Sequence, residues 1–141
     1  MTRLKLLKSG DISEKDIQKT VISWVRAQPR IKNLVMHFAN EGKRSTAYGK
    51  LLKDMGLRPG VSDLFIASMC HGYGGAWIEL KSKHGVLSKE QREFLLDMEQ
   101  QGYYTAVCHS IDETIKQIEW YLSSQKGTSL SSNSLSCSFS L

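Results

Sequence analysis

The sequence contains little cysteine and no long apolar run, and both shortages exclude classes of protein. Three of its 141 residues are cysteine, and no two of them have the CxxC spacing of a zinc or redox site. An odd number of cysteines cannot form a complete set of intrachain disulfides, so the composition favours a reduced, cytoplasmic protein. No apolar stretch approaches the roughly 18 residues of a membrane helix, which predicts that the chain does not span a bilayer. The basic start also has too short an apolar part for a secretory signal.

The composition that is present indicates one soluble globular domain. Apolar residues make up 40% of the chain and charged residues 23%, which are the fractions of an ordinary folded protein. At roughly 100–200 residues per domain, the length predicts a single folded unit with its own core.

Positive charge is concentrated in one part of the chain. Between Arg26 and Gly60 there are eight basic and two acidic residues, whereas residues 90–119 contain seven acidic residues. A basic half beside an acidic half indicates a polyanionic partner that approaches from one side. On charge alone, an ordinary solvated surface remains the alternative.

Periodicity and capping signals predict a helix, then three strands around a small inserted helix, then a helix, a strand and a last helix. The first helix begins at Ser13 and ends before Pro29, and Ser88 with Gln91 forms a capping box for a later helix. The predicted strands cover residues 33–39, 61–68, 76–82 and 103–109.

The chain ends in a serine-rich segment. Nine of its last 19 residues are serine, a composition that predicts disorder because it buries little apolar surface. We therefore predict three parts: a basic arm (1–12), a folded domain (13–122) and a disordered tail (123–141).

Two neighbouring predicted strands each carry an acidic residue. Asp63 interrupts the apolar run 61–68, and Glu79 lies two residues before Lys81 in the next strand. A hairpin between the two strands would let both carboxylates converge. Such oxygen ligands suit Mg²⁺ or Mn²⁺, while the lysine would orient or deprotonate a water or stabilise charge on a phosphate. A salt-bridged cluster on a solvated sheet face remains the alternative, because the ExK pattern is short and common.

The stretch from Gly60 to Lys81 resembles the PD-(D/E)XK nuclease core and, more narrowly, the VRR-NUC (virus-type replication-repair nuclease) family. The resemblance covers about Ser13 to Leu122 with the motifs in family order. It includes the helical pattern 14–18, the loop NEGKRS (40–45), the segment LSKEQREFL (87–95) and the strand after Gly102. It implies an α/β restriction-endonuclease-like fold, with a helix followed by a mixed four-stranded sheet flanked by helices.

The resemblance also implies roles for individual residues. Asp63 and Glu79 correspond to the metal-binding acids, the backbone carbonyl of Leu80 to a further ligand, and Lys81 to the catalytic lysine. Glu14 on the first helix would complete the metal shell, directly or through water.

Two more positions are informative in this comparison. Gln91 matches a polar position that supports the catalytic site in the family. Ser62 stands where the family usually has proline, and because proline provides no ligand, we expect this departure to leave the chemistry intact.

The loop before the second helix is expected to contact DNA. Lys43, Arg44 and Ser45 would bind backbone phosphates, which position DNA without reading its sequence; ordinary solvated charge is the alternative. In the same loop, Glu41 rivals Glu14 as the third acid.

The expected activity is that of a divalent-metal-dependent DNA endonuclease that leaves a 5′ phosphate and a 3′ hydroxyl. Stand-alone members of the family resemble viral or prophage resolvases. We therefore expect a phage- or prophage-encoded homodimer that cleaves Holliday junctions in the cytoplasm of a bacterial host. The alternative is a DNA-binding module that kept the fold and lost activity, against which the intact Asp63, Glu79 and Lys81 argue.

Overall fold

The structure is a computed structural model that describes residues 11–38 and 45–123. Within these ranges the helices and strands follow the predicted order. Their bounds are α1 (Glu14–Arg26), β1 (Val35–His37), α2 (Thr46–Asp54), β2 (Leu64–Ile66), β3 (Ala76–Leu80), α3 (Lys89–Gln100), β4 (Tyr104–Cys108) and α4 (Ile111–Leu122). Most of the predicted arm and of the predicted tail lies outside the described residues, so the division into three parts stays a prediction.

The strands form one mixed sheet in the order β1–β2–β3–β4. β2 pairs antiparallel with β1 and with β3, whereas β3 pairs parallel with β4. A parallel pair needs a crossover connection, and α3 provides it between β3 and β4. The predicted α/β class with a helix before a mixed four-stranded sheet is confirmed.

The two faces of the sheet contact different helices, as the alternation of β3 predicts. Ile78 and Leu80 belong to the main apolar core, to which α1 and α4 contribute buried residues. Trp77 points the other way and meets Phe94 of α3 edge to face, with ring centroids 5.0 Å apart. Glu79, two residues after Trp77, therefore lies on the face that α3 covers.

Local capping determines where the helices begin. The hydroxyls of Ser13, Ser45, Ser88 and Ser110 each accept a hydrogen bond from a backbone N–H of the following first turn. At Ser88 the predicted capping box is complete. None of the helices in the described ranges is long and apolar enough to cross a bilayer.

The strands are shorter than predicted, and in β2 the difference affects the site. The apolar run 61–68 predicts one continuous strand, but only Leu64–Ile66 pairs as β2. Asp63 therefore lies immediately before the strand and not within it. At this position its side chain can leave the pleat of the sheet and bond to the neighbouring strand.

Candidate metal centre

The antiparallel pairing of β2 and β3 brings Asp63 level with the end of β3. Leu64 pairs with Ile78, so Asp63, one residue earlier, comes opposite Glu79. The Oδ2 atom of Asp63 accepts a hydrogen bond of 2.8 Å from the backbone N–H of Leu80. The structure thus brings the two predicted acids and Leu80 together, as the predicted hairpin requires.

The backbone of Asp63 is held from the other side by β1. Its carbonyl oxygen accepts hydrogen bonds from the backbone N–H of Phe38, at 3.0 Å, and from Nδ1 of His37, at 2.9 Å. No pattern in the sequence identifies His37, because a lone histidine in a strand carries no spacing signal. This histidine anchors the backbone that carries the first acid.

Glu79 is a buried carboxylate with two different oxygens. Its side chain is 1% exposed, and Oε1 lies 3.0 Å from Nζ of Lys81 and accepts a hydrogen bond of 2.5 Å from Nε2 of Gln91. Oε2 is also buried but has no hydrogen-bond partner within the described part of the chain. Burial, and next the charge of Asp63, raise the pKa of Glu79 to about 7. Such a carboxylate is arranged to receive a cation at its second oxygen.

Lys81 is buried beside this carboxylate and keeps its charge. Burial lowers the pKa of Lys81, but the hydrogen bond and charge of Glu79, followed by the charges of Glu14 and Asp63, raise it above its ordinary value. The ammonium group therefore acts as a cation and a hydrogen-bond donor. Glu79 and Lys81 do form the salt bridge of the alternative interpretation, but at 1% and 5% exposed they are buried and do not lie on a solvated sheet face.

Glu14 reaches the edge of this cluster from α1. Its Oε2 lies 4.0 Å from Nζ of Lys81, and its Oε1 accepts a hydrogen bond of 3.2 Å from the backbone N–H of Ser82. Its half-buried side chain thus borders the lysine, and a role as a metal ligand stays a prediction. The rival acid Glu41 lies outside the described residues.

Gln91 links the start of α3 to the buried acid. Its Oε1 accepts a hydrogen bond of 2.9 Å from the backbone N–H of Ser88, which closes the capping box, while its Nε2 donates to Glu79. Both ends of the amide are therefore used, and Gln91 sets the orientation of Glu79. Ser62 lies close enough to lower the pKa of Glu79, although its buried hydroxyl makes no well-formed hydrogen bond within the described residues.

Of the three predicted DNA-binding residues, Ser45 lies within the described part of the chain, and DNA binding by all three stays a prediction. Lys43 and Arg44 lie outside the described residues, and Ser45 caps α2 by accepting a hydrogen bond from the N–H of Tyr48. Farther along the basic segment, Arg58 pairs at 2.6 Å with Asp97 of the acidic segment. This ion pair therefore joins the basic segment (26–60) to the acidic segment (90–119).

The donors fit a hard divalent cation. The described residues contain no group of three or more histidine, cysteine, aspartate or glutamate side chains that could hold a metal ion. Two acids, Asp63 and Glu79, nevertheless converge, and the second oxygen of Glu79 is buried without a partner. Mg²⁺ commonly binds through one or two carboxylates, and water and phosphate oxygens complete its shell. This donor set therefore suits Mg²⁺ or Mn²⁺.

Comparison with known proteins supports the family resemblance. The model of the VRR-NUC domain matches residues 12–112, a range that contains every residue of the site from Glu14 to Gln91. A solved structure described as a VRR-NUC domain protein is 24% identical to this chain and has a TM-score of 0.69. The structural match covers 81% of this chain and 91% of that chain. At this identity the structural likeness shows the fold alone. No curated protein matches the chain significantly.

Proposed function

This chain belongs to the VRR-NUC family of nucleases, and we propose that it is a divalent-metal-dependent endonuclease that hydrolyses phosphodiester bonds in DNA. The observation that carries the proposal is the buried carboxylate of Glu79. Lys81 and Gln91 hold one of its oxygens, the other is buried with no hydrogen-bond partner within the described residues, and the charge of Asp63 acts on the same carboxylate.

Each residue of the site has a distinct task in this reaction. Asp63, fixed by the N–H of Leu80, and Glu79, oriented by Gln91, would hold Mg²⁺ or Mn²⁺, with the carbonyl of Leu80 and Glu14 as further ligands. The bound ion would polarise the scissile phosphate and lower the pKa of a bound water. Lys81, which stays protonated, would donate to the attacked phosphate or to the attacking water and stabilise the charge that develops there.

Replacement of Lys81 is expected to affect turnover more than metal affinity. Lys81→Met removes the cation while keeping the length of the side chain, so kcat should fall by roughly 10²–10³-fold, as for the loss of one charge-stabilising donor. The affinity for Mn²⁺ should change little, because the carboxylates remain. Calorimetry with Mn²⁺ and single-turnover cleavage measure the two effects separately. Lys83→Met, at an exposed lysine two residues later, is the matched control, and a Lys81→Met protein that no longer binds Mn²⁺ would contradict this role.

The proposed substrate is a four-way junction, bound by a homodimer. A two-fold dimer presents two equivalent sites, which suits paired nicks on opposing strands. α2 buries no side chain against the described residues and exposes Tyr48, Leu51 and Met55, an apolar surface of the kind that interfaces cover. In the dimer, the two copies of the basic segment between Arg26 and Gly60 would together provide a channel for the DNA arms.

A panel of labelled DNA substrates tests this proposal. Linear duplex, single-stranded, flapped and four-way DNA are incubated with the protein in Mg²⁺ or Mn²⁺ at several salt concentrations. We expect preferred cleavage of the four-way junction, and binding that weakens steeply with salt because phosphate contacts release counterions. Light scattering should report twice the 15.9 kDa of one chain. Equal cleavage of duplex and junction would refute the substrate, and a monomer at micromolar concentration would refute the dimer.

A further inference from the structure

A cavity of about 420 Å³ lies directly beside the metal centre, between α2 and the first turn of α3. Two residues of the site, Asp63 and Gln91, form part of its lining, and Lys53 of α2 and Glu90 of α3 contribute one charge of each sign. Small-molecule sites typically have volumes of about 300–1,000 Å³ and combine apolar walls with a few polar groups. The size and position of the cavity therefore suit one unit of a larger substrate whose neighbouring unit lies at the metal.

The connection between α2 and β2 provides an apolar wall. Leu57, Pro59 and Val61 all line the cavity. Gly60 lets this wall lie close against α3, because it carries no Cβ atom. A Cβ atom there would meet the backbone of Glu90 and come within 2.9 Å of the N atom of Gln91, and the φ angle of +84° also favours glycine. The wall and the first turn of α3 are thus in close contact at Gly60, and this contact fixes one side of the cavity.

The opposite side of the cavity is kept open by a glycine inside a helix. Gly49 lies in the middle of α2 and lines the cavity, although glycine at such a position costs about 1 kcal/mol relative to alanine. Its φ is not positive, and a Cβ atom there would meet no described atom within 4 Å. Within the described structure, neither backbone geometry nor packing requires glycine at this position. What it provides is empty volume in front of α2.

We propose that this cavity binds an unpaired nucleobase of the DNA strand being cut, at the nucleotide next to the scissile phosphate. The inference rests on the proposed nuclease function, since it places that phosphate at Asp63. Leu57, Pro59 and Val61 would contact the faces of the base, and Lys53 the adjoining phosphate. Glu90 can accept a hydrogen bond from an exocyclic amino group, as carboxylates do from cytosine.

The proposal gives a physical reason for structure selectivity. A base inside a regular duplex enters such a cavity only after unstacking and unpairing, which costs a few kcal/mol, and the cost is least for a base that is already unpaired. A strand at a branch point carries such bases or forms them readily. The cavity would therefore favour branched DNA over linear duplex without any base-specific contact in a groove.

The test combines a variant that fills the cavity with DNA that lacks the base. Gly49→Leu fills the open volume, Gly49→Ala adds a single methyl group, and Ala47→Leu places the same side chain at an exposed position of α2 outside the cavity. Once the wild-type cut is mapped on the branched DNA, an abasic site replaces the nucleotide on either side of it. Cleavage is measured with Mg²⁺, and binding by fluorescence anisotropy with Ca²⁺, for each protein and each DNA. Melting temperatures check that every variant is folded.

We expect base removal at one of the two positions to weaken binding and cleavage by roughly tenfold for the wild-type and Ala47→Leu proteins, which corresponds to the loss of one base contact. For Gly49→Leu, removal of the same base should change binding and cleavage by less than twofold, because the leucine already excludes the base from the cavity. The effect for Gly49→Ala should lie between those of Gly49→Leu and wild type. An equal abasic effect in Gly49→Leu and wild type would overturn the proposal, as would its absence in wild type. If no protein cuts DNA, the nuclease function is refuted; an abasic effect on binding that is found by scanning the strands at the branch point, and is lost in Gly49→Leu, still supports the cavity.

Discussion

Asp63→Asn and Glu79→Gln should each reduce DNA cleavage by on the order of 10³-fold or more, to the limit of detection. Each removes one of the two carboxylates that converge at the site, and charge stabilisation by a bound cation is typically the largest catalytic contribution in phosphate chemistry. The amide variants keep the size of the side chains. Asparagine can still accept the hydrogen bond from the N–H of Leu80 that Asp63 receives, so the fold and the affinity for DNA should remain close to wild type.

The measurement is single-turnover cleavage of a branched substrate with Mg²⁺ or Mn²⁺, alongside DNA binding and thermal unfolding of the same preparations. Glu93→Gln is the matched control, because Glu93 is an exposed acid of α3 that pairs with Lys89. Cleavage near the wild-type rate by either site variant would refute the assignment of the acids. Loss of DNA binding together with cleavage would instead indicate that the acids support the fold.

The metal-free protein should lose stability as the pH rises from about 4.5 to about 7, and Glu79 is the cause. Burial first, and then the charge of Asp63, raise the pKa of Glu79 from 4.5 to about 7 in the folded chain. Between these values the folded state holds a proton that the unfolded chain has released, so the free energy of unfolding decreases with pH. A shift of this size corresponds to at most about 3 kcal/mol across the window.

Urea unfolding in the presence of a chelator, at several pH values between 4 and 8, measures this effect. Glu79→Gln carries no ionisable group at the position, so its stability should fall less than that of wild type between pH 4.5 and pH 7. Titrating groups that do not interact with Glu79 are present in both proteins and cancel in the comparison. Two parallel stability curves would contradict the raised pKa. Since metal must displace this proton, the apparent affinity for Mn²⁺ should rise as the pH approaches about 7.

The local signals of the sequence predicted the elements well. Ser13 and Ser88 cap the helices where the sequence predicts, and the alternation in β3 places Ile78 and Trp77 on opposite faces. These features are predictable because a cap or an alternating strand depends on residues only a few positions apart. The predicted length of β2 was wrong, because an apolar run shows where a chain is buried but not where its backbone stops pairing with the neighbouring strands.

The convergence of Asp63 and Glu79 follows from the predicted hairpin and from their places on its two strands. The sequence by itself therefore determined that these two acids and the adjacent Lys81 lie close together. Tertiary structure alone decided the surroundings of these three side chains. The bond from Gln91 to Glu79, the burial that raises the pKa of the acid, and the cavity between α2 and α3 all join segments distant in sequence. Such properties depend on desolvation and on space between packed elements, and no local pattern of residue types records either of them.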